Sequence, residues 1–134
     1  MIRFDNRDTG RSTKVGGRVR RGSLVRSFGG RGAPPPYTLD AMADDAFGLL
    51  DALGIASAHI AGVSMGGMIV QTMAVQHPER VRSLTSIMST VGKRTVGWQH
   101  PKLLPLLIAP RGPGRAAYAE TSARLWKLIG SPGY

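Results

Sequence analysis

Ser64 is the residue at which type and spacing in this sequence point to chemistry. It stands in Gly62-Val63-Ser64-Met65-Gly66, a Gly-x-Ser-x-Gly pattern with Gly67 directly after it. A short apolar run over residues 58–63 precedes the serine, and a helical pattern begins straight after it. A serine at such a strand-to-helix turn is held in a strained backbone conformation, and flanking glycines relieve the crowding because they have no Cβ. The turn lifts the hydroxyl above the sheet edge, where it can attack an acyl carbon. The following helix leaves its first amides unpaired, so the Met65 N–H is placed to face a developing oxyanion. Gly62, Gly66 and Gly67 serve this turn and not a phosphate loop, since no Lys-Ser/Thr pair follows them.

A serine hydroxyl is a weak nucleophile without a base, and the base needs an orienting acid. The histidines are His59, His77 and His100. His59 lies on the run that leads into the turn, and His77 closes the next helix, about 18 Å from Ser64 by helical rise alone. His100 stands beside Pro101 in a segment expected to overhang the serine. As packed or exposed structural histidines, all three, His100 included, are expected to take no part in proton transfer. Asp5 and Asp8 are expected to brace a turn, and Ser89-Thr90, after the strand that follows the helix, offers no carboxylate. Scattered histidines and the absence of cysteine give no metal site, and no cofactor motif is present.

The elements that position Ser64 follow from patterning. Residues 1–5 read as the end of a buried strand, with Ile2 and Phe4 alternating with Arg3, and residues 5–12 supply turn chemistry. A domain that opens inside a strand is expected to be part of a longer chain. Thr38 is a plausible N-cap, with Asp40 in the first turn. Leu39, Met42, Ala43, Ala46, Leu49, Leu50 and Leu53 form one apolar stripe, Asp40, Asp44 and Asp51 a solvated face, and Gly54 the C′ stop. The helix from Met65 to about Gln76 is apolar nearly all round, as for a buried helix, and Pro78 ends it. Residues 81–88 have strand character, so strand–helix–strand makes a βαβ unit and the class is α/β with a parallel sheet. Residues 98–134 differ: prolines interrupt an apolar stretch around Leu103, Leu104, Leu106, Leu107 and Ile108, and a better helix covers residues 114–129. The reading is therefore a core over 1–97 and the start of a helical cap over 98–134.

The formal charge of +10 invites a nucleic-acid reading, and its distribution argues against one. Residues 1–32 hold nine of the 18 basic residues and only Asp5 and Asp8 among the acids, a net of +7, while residues 33–134 net +3. The excess belongs to a Gly/Arg/Pro-rich loop over residues 14–36. Its single aromatic, Phe28, offers no stacking platform, so a solvated loop is expected and a nucleic-acid partner is not. No apolar stretch reaches membrane-spanning length, the N-terminus lacks a secretory h-region, and the cysteine-free composition fits a cytoplasmic protein.

The stretches RFDNRDTGRS (residues 3–12), Tyr37-Thr38-Leu39 with Ala43-Asp44-Asp45, the Gly-Val-Ser-Met-Gly-Gly turn, and His77-Pro78-Glu79-Arg80-Val81 together resemble the α/β-hydrolase superfamily, in its branch of small esterases similar to aclacinomycin methylesterase. The resemblance covers most of residues 1–12 and 37–91, and more loosely the region to 134. It implies that Ser64 is the nucleophile of a nucleophile elbow and that the Met65 amide is one oxyanion donor. It also implies that residues 1–5 end the fourth strand, that the elbow follows the fifth, and that the third strand lies between those two. The second oxyanion donor would precede Met1, and the acid and histidine would follow Tyr134. The chain then reads as an internal piece of a partial α/β-hydrolase fold.

Two functional readings follow. One is a serine hydrolase of carboxylic esters working through an acyl-enzyme, on a small and, given the apolar cap residues, hydrophobic ester. The other is a catalytically incomplete fragment that at most binds a partner.

Overall fold

The computed structural model describes residues 1–15, 35–93, 96–97 and 114–130. They fall into two units, 1–97 and 98–134. In the first, α1 spans Leu39–Ala52, β1 Ala58–Val63, α2 Met65–Gln76 and β2 Val81–Ile87, with a 3₁₀ turn at Pro78–Arg80 between α2 and β2. The second contributes α3, Arg115–Ile129, which buries no residue and carries an Arg124–Glu120 ion pair one turn apart at 2.7 Å. Most of the basic loop, the interrupted apolar segment with residues 103–108, and His100 lie outside the described residues.

Local chemistry sets the ends of α1. The Thr38 hydroxyl accepts from the Ala41 N–H, and Asp40 occupies the first turn, where the helix dipole favours an anion. At the other end Gly54 takes φ +68°, its N–H bonds Asp51 O at 3.0 Å, and the Ile55 N–H reaches back to Leu50 O at 2.8 Å. That pair of reverse bonds is a Schellman stop, which needs the positive φ that glycine accepts without strain.

β1 and β2 are parallel neighbours joined through α2, the expected βαβ unit. Their register pairs His59 with Ser83, Ala61 with Thr85 and Val63 with Ile87 after an irregularity at Ala58/His59. The core forms where α1 meets α2, from Met42, Ala43, Ala46, Phe47, Ile69, Val70 and Met73. Phe47 stands outside the stripe read from the sequence, whereas Leu53, inside it, is half exposed. The buried arc of α1 is turned toward Phe47 because His77 and Arg80 pack on that side: the His77 ring meets Phe47 edge-on at 4.9 Å, and the Arg80 guanidinium lies 5.1 Å from its centroid. Arg80 also bonds Asp51 and the Ile55 and Ala56 carbonyls, so Asp51 is an ion-pair partner and not merely part of a solvated face.

Two expectations are corrected. α2 is not enclosed all round: it packs on α1 and the sheet, and Val75 is 83% exposed. Residues 1–6 form no strand and are not buried, with Ile2 53% and Phe4 49% exposed. A strand is defined by its ladder, and no described strand pairs with this segment; the sheet has two strands, and a groove of about 490 Å³ separates residues 1–6 from β1.

The turn after residues 1–6 is closed as expected of its acids. The Asp5 carboxylate accepts the Arg11 N–H at 3.0 Å, and Asp8 accepts the Val15 N–H at 2.8 Å. Arg7 fastens the turn to α1, donating from Nε and Nη2 to the two oxygens of Asp45 at 2.6 Å each and from Nη2 to Ala41 O, with Tyr37 beneath the guanidinium at 5.1 Å. The hydrogen bond from Arg7 holds the Asp45 carboxyl below the usual carboxylate range. A depressed folded value means the pair contributes stability above the unfolded carboxyl's pKa of about 3.9 and loses it as pH falls through the folded one. In urea titrations the wild-type midpoint should exceed that of Asp45→Asn above pH 5, and the gap should close below pH 4.

Candidate active site

The β1–α2 junction is built around Ser64. Its N–H donates to Ile87 O at 2.9 Å, so the ladder with β2 runs up to the serine itself. Its backbone then turns through φ +56°, ψ −120°, a region that non-glycine residues occupy only when the surroundings impose it. The Ser64 carbonyl receives the Gly67 and Met68 N–H groups at 2.9 and 3.3 Å, the first bonds of α2. The N–H groups of Met65 and Gly66 precede those bonds and have no acceptor within the helix. Ser64 is exposed, its side chain makes no capping bond, and the hydroxyl stands at the positive end of a twelve-residue helix.

The three glycines differ in what they do. A Cβ on Gly62 would overlap the Gly66 carbonyl, a backbone group that cannot swing aside. A Cβ on Gly67 would lie 2.5 Å from the Ser89 Cβ and 2.8 Å from the Ser86 Oγ, so Gly67 lets α2 settle on the end of β2. Gly66 has open space at its Cβ position. The turn therefore depends on Gly62 and Gly67, and the pattern's second glycine is sterically free.

Neither described histidine is turned toward Ser64 as a base. His59 Nδ1 lies 2.7 Å from the Ser83 Oγ on the neighbouring strand, and His77 Nδ1 lies 3.1 Å from Glu79 Oε1. Among the described residues no group of three metal-ligating side chains gathers, and no helix is long and apolar enough to cross a membrane. Sequence reasoning missed the support on and just after β2: Gln71 Nε2 donates to Ser86 Oγ at 2.8 Å, and Ser89 Oγ, two residues past the strand, is buried against Gly67 with no partner among the described residues. No sequence signal marked them, since Ser86 and Ser89 stand far along the chain from Gly67 and meet it only in the fold.

The family model for the alpha/beta hydrolase fold matches residues 1–122. The chain belongs to the α/β-hydrolase family. The chain is 39% identical over 85 residues to rhodomycin D methylesterase DauP of Streptomyces sp. (strain C5), a match that takes in 63% of this chain and 24% of the relative. It is 45% identical over 62 residues to a 2-hydroxymuconate semialdehyde hydrolase of Pseudomonas sp. (strain CF600), over 46% of this chain and 22% of the relative. A hydrolase from Pseudomonas aeruginosa PA01 of known crystal structure aligns with 75% of this chain and 39% of its own length, at a TM-score of 0.45 and 26% identity. The chain thus spans about a quarter of the length of the curated relatives it matches.

Proposed function

We propose that this chain carries the nucleophile of a serine hydrolase acting on carboxylic esters, with a small hydrophobic ester as substrate. Ser64 Oγ attacks the acyl carbon, the Met65 N–H takes part of the oxyanion's charge, and the alcohol leaves with a proton to give an acyl-Ser64 ester that water then cleaves. The observation that carries the reading is the Ser64 torsion: a strained, exposed serine whose backbone is bonded to β2 on one side and opens α2 on the other. The methylesterase relative supports an ester as substrate class. With His59 and His77 both engaged elsewhere, the proton acceptor comes from outside the described residues.

That engagement also favours the second reading, a chain that keeps the elbow but not turnover and at most binds a partner. Treatment with a fluorophosphonate probe followed by peptide mapping separates the two. Labelling should fall on Ser64 and vanish in Ser64→Ala. A folded chain that takes up no label at Ser64 loses the hydrolase reading and leaves the binding one.

A further inference from the structure

β1 and β2 end side by side in the same unusual torsion. Val63 pairs with Ile87, and the Ser64 N–H bonds Ile87 O at 2.9 Å, so Met88 stands next to Ser64 across a strand spacing of about 4.8 Å. Ser64 takes φ +56° and Met88 φ +49°. The serine's torsion belongs to the elbow; the methionine's has no such account. A methionine in the left-handed region is strained, where glycine or asparagine would sit easily. Burial does not compensate, since Met88 is 60% exposed. The segment after it comes back to α2: a Cβ on Gly92 would lie 3.6 Å from the Met68 Cε, one turn along from Met65, which is 48% exposed. Ser64 is thus flanked by two exposed thioether side chains, one from each element that meets at the elbow, with the half-buried Met68 alongside.

We propose, on the reading that Ser64 is the nucleophile, that Met65 and Met88 form the subsite for the acyl group of the ester, that this group is an unbranched alkyl chain, and that Met88 sets the preference for its length. The acyl group stays on Ser64 through both half-reactions, so the walls it meets are those beside the serine itself. The alcohol instead departs toward a proton donor that lies outside the described residues. A methionine side chain is unbranched, turns about three bonds and has no hydrogen-bond donor, so it follows a flexible hydrocarbon and gives a polar chain nothing in return. Each methylene laid against such a surface strengthens binding about two- to fourfold. The strain at Met88 is then offset by what its side chain contacts once the ester is bound.

Methyl, butyl and hexyl fluorophosphonates, whose alkyl group on phosphorus takes the place of the acyl chain, test this through their rates of labelling at Ser64. In the wild type the rate should climb from methyl to hexyl. Met88→Gly should lower the hexyl-to-methyl ratio roughly tenfold, the worth of about two methylenes. It should also raise the thermal midpoint, because glycine accepts φ +49° without strain. Met88→Leu should restore most of the ratio. A residue kept for packing alone would do the reverse, losing stability as glycine and leaving the ratio as it was. A flat series in the wild type, or an unchanged ratio in Met88→Gly, overturns the proposal. If no probe labels Ser64, the nucleophile reading fails by itself, and the subsite is read from binding instead. In Ser64→Ala chains with isotope-labelled methionine methyl groups, methyl hexyl ketone should shift the signals of Met65 and Met88 and leave those of the core residues Met42 and Met73 in place. No shift at Met88, or equal shifts at all four, overturns the proposal whether or not Ser64 reacts.

Discussion

Gly62→Ala should remove fluorophosphonate labelling of Ser64 and lower the thermal midpoint, while Gly66→Ala should leave both nearly intact. The added methyl at position 62 would run into the Gly66 carbonyl, so β1 and the first turn of α2 must separate. Overpacking of this kind costs about 1–3 kcal/mol, and the upper end applies where the obstructing atom is backbone and has no rotamer to change. The larger effect is geometric. Ser64 holds φ +56° only while its N–H is bonded to Ile87 O and its carbonyl to Gly67 N–H, and separating the two elements breaks that frame. At position 66 the Cβ would enter open space, and alanine suits a helix better than glycine. Labelling and circular-dichroism melts on both variants make the comparison. Equal damage at the two positions would mean that the turn is not held by the β1–α2 approach.

Phe47→Ala should leave the chain without a cooperative unfolding transition at 25 °C. Among the described residues seven side chains make up the buried core of the first unit, and Phe47 is its largest member. Deleting a buried phenyl ring costs about 3–5 kcal/mol, which would consume much of the 5–15 kcal/mol that ordinary domains possess. The ring is also where His77 and Arg80 close the end of α2 against α1, so its loss loosens the link between α2 and β2. Phe47→Leu keeps most of the apolar volume and should retain a transition at a lower urea midpoint. A full-height transition in Phe47→Ala would show that the α1–α2 contact is not what holds the unit together.

What could be read in advance was what is decided locally. The Thr38 cap, the Gly54 stop and the serine turn each depend on a few consecutive residues, and all three stand where the sequence places them. The βαβ unit was legible because an apolar run, the Gly-x-Ser-x-Gly turn, an apolar helix stopped by Pro78 and a second strand-like run follow one another within about thirty residues. Residues 1–5 were misread because alternation of Ile2, Arg3 and Phe4 shows what could be a strand, whereas a strand needs a ladder partner. The Arg7–Asp45 clasp joins positions 38 apart, and nothing in either local context marks the pairing. Phe47 was passed over since its burial comes from Arg80 and His77, which reach it only once the 3₁₀ turn is made. At the candidate site the same division holds: Ser64 and its glycines announce themselves, and the support from Ser86 on β2 and Ser89 just after it does not.

The torsion at Ser64 gives the position an uneven mutational landscape. A non-glycine residue held there costs the fold on the order of 1–3 kcal/mol, and glycine would avoid most of it. Replacement by glycine is therefore a downhill exit, open to any lineage for which the hydroxyl has stopped mattering. Alanine, threonine or asparagine would keep the strain without the chemistry. A chain released from the need to react would drift toward four glycines in the space of six residues, and this sequence still has a serine among its three.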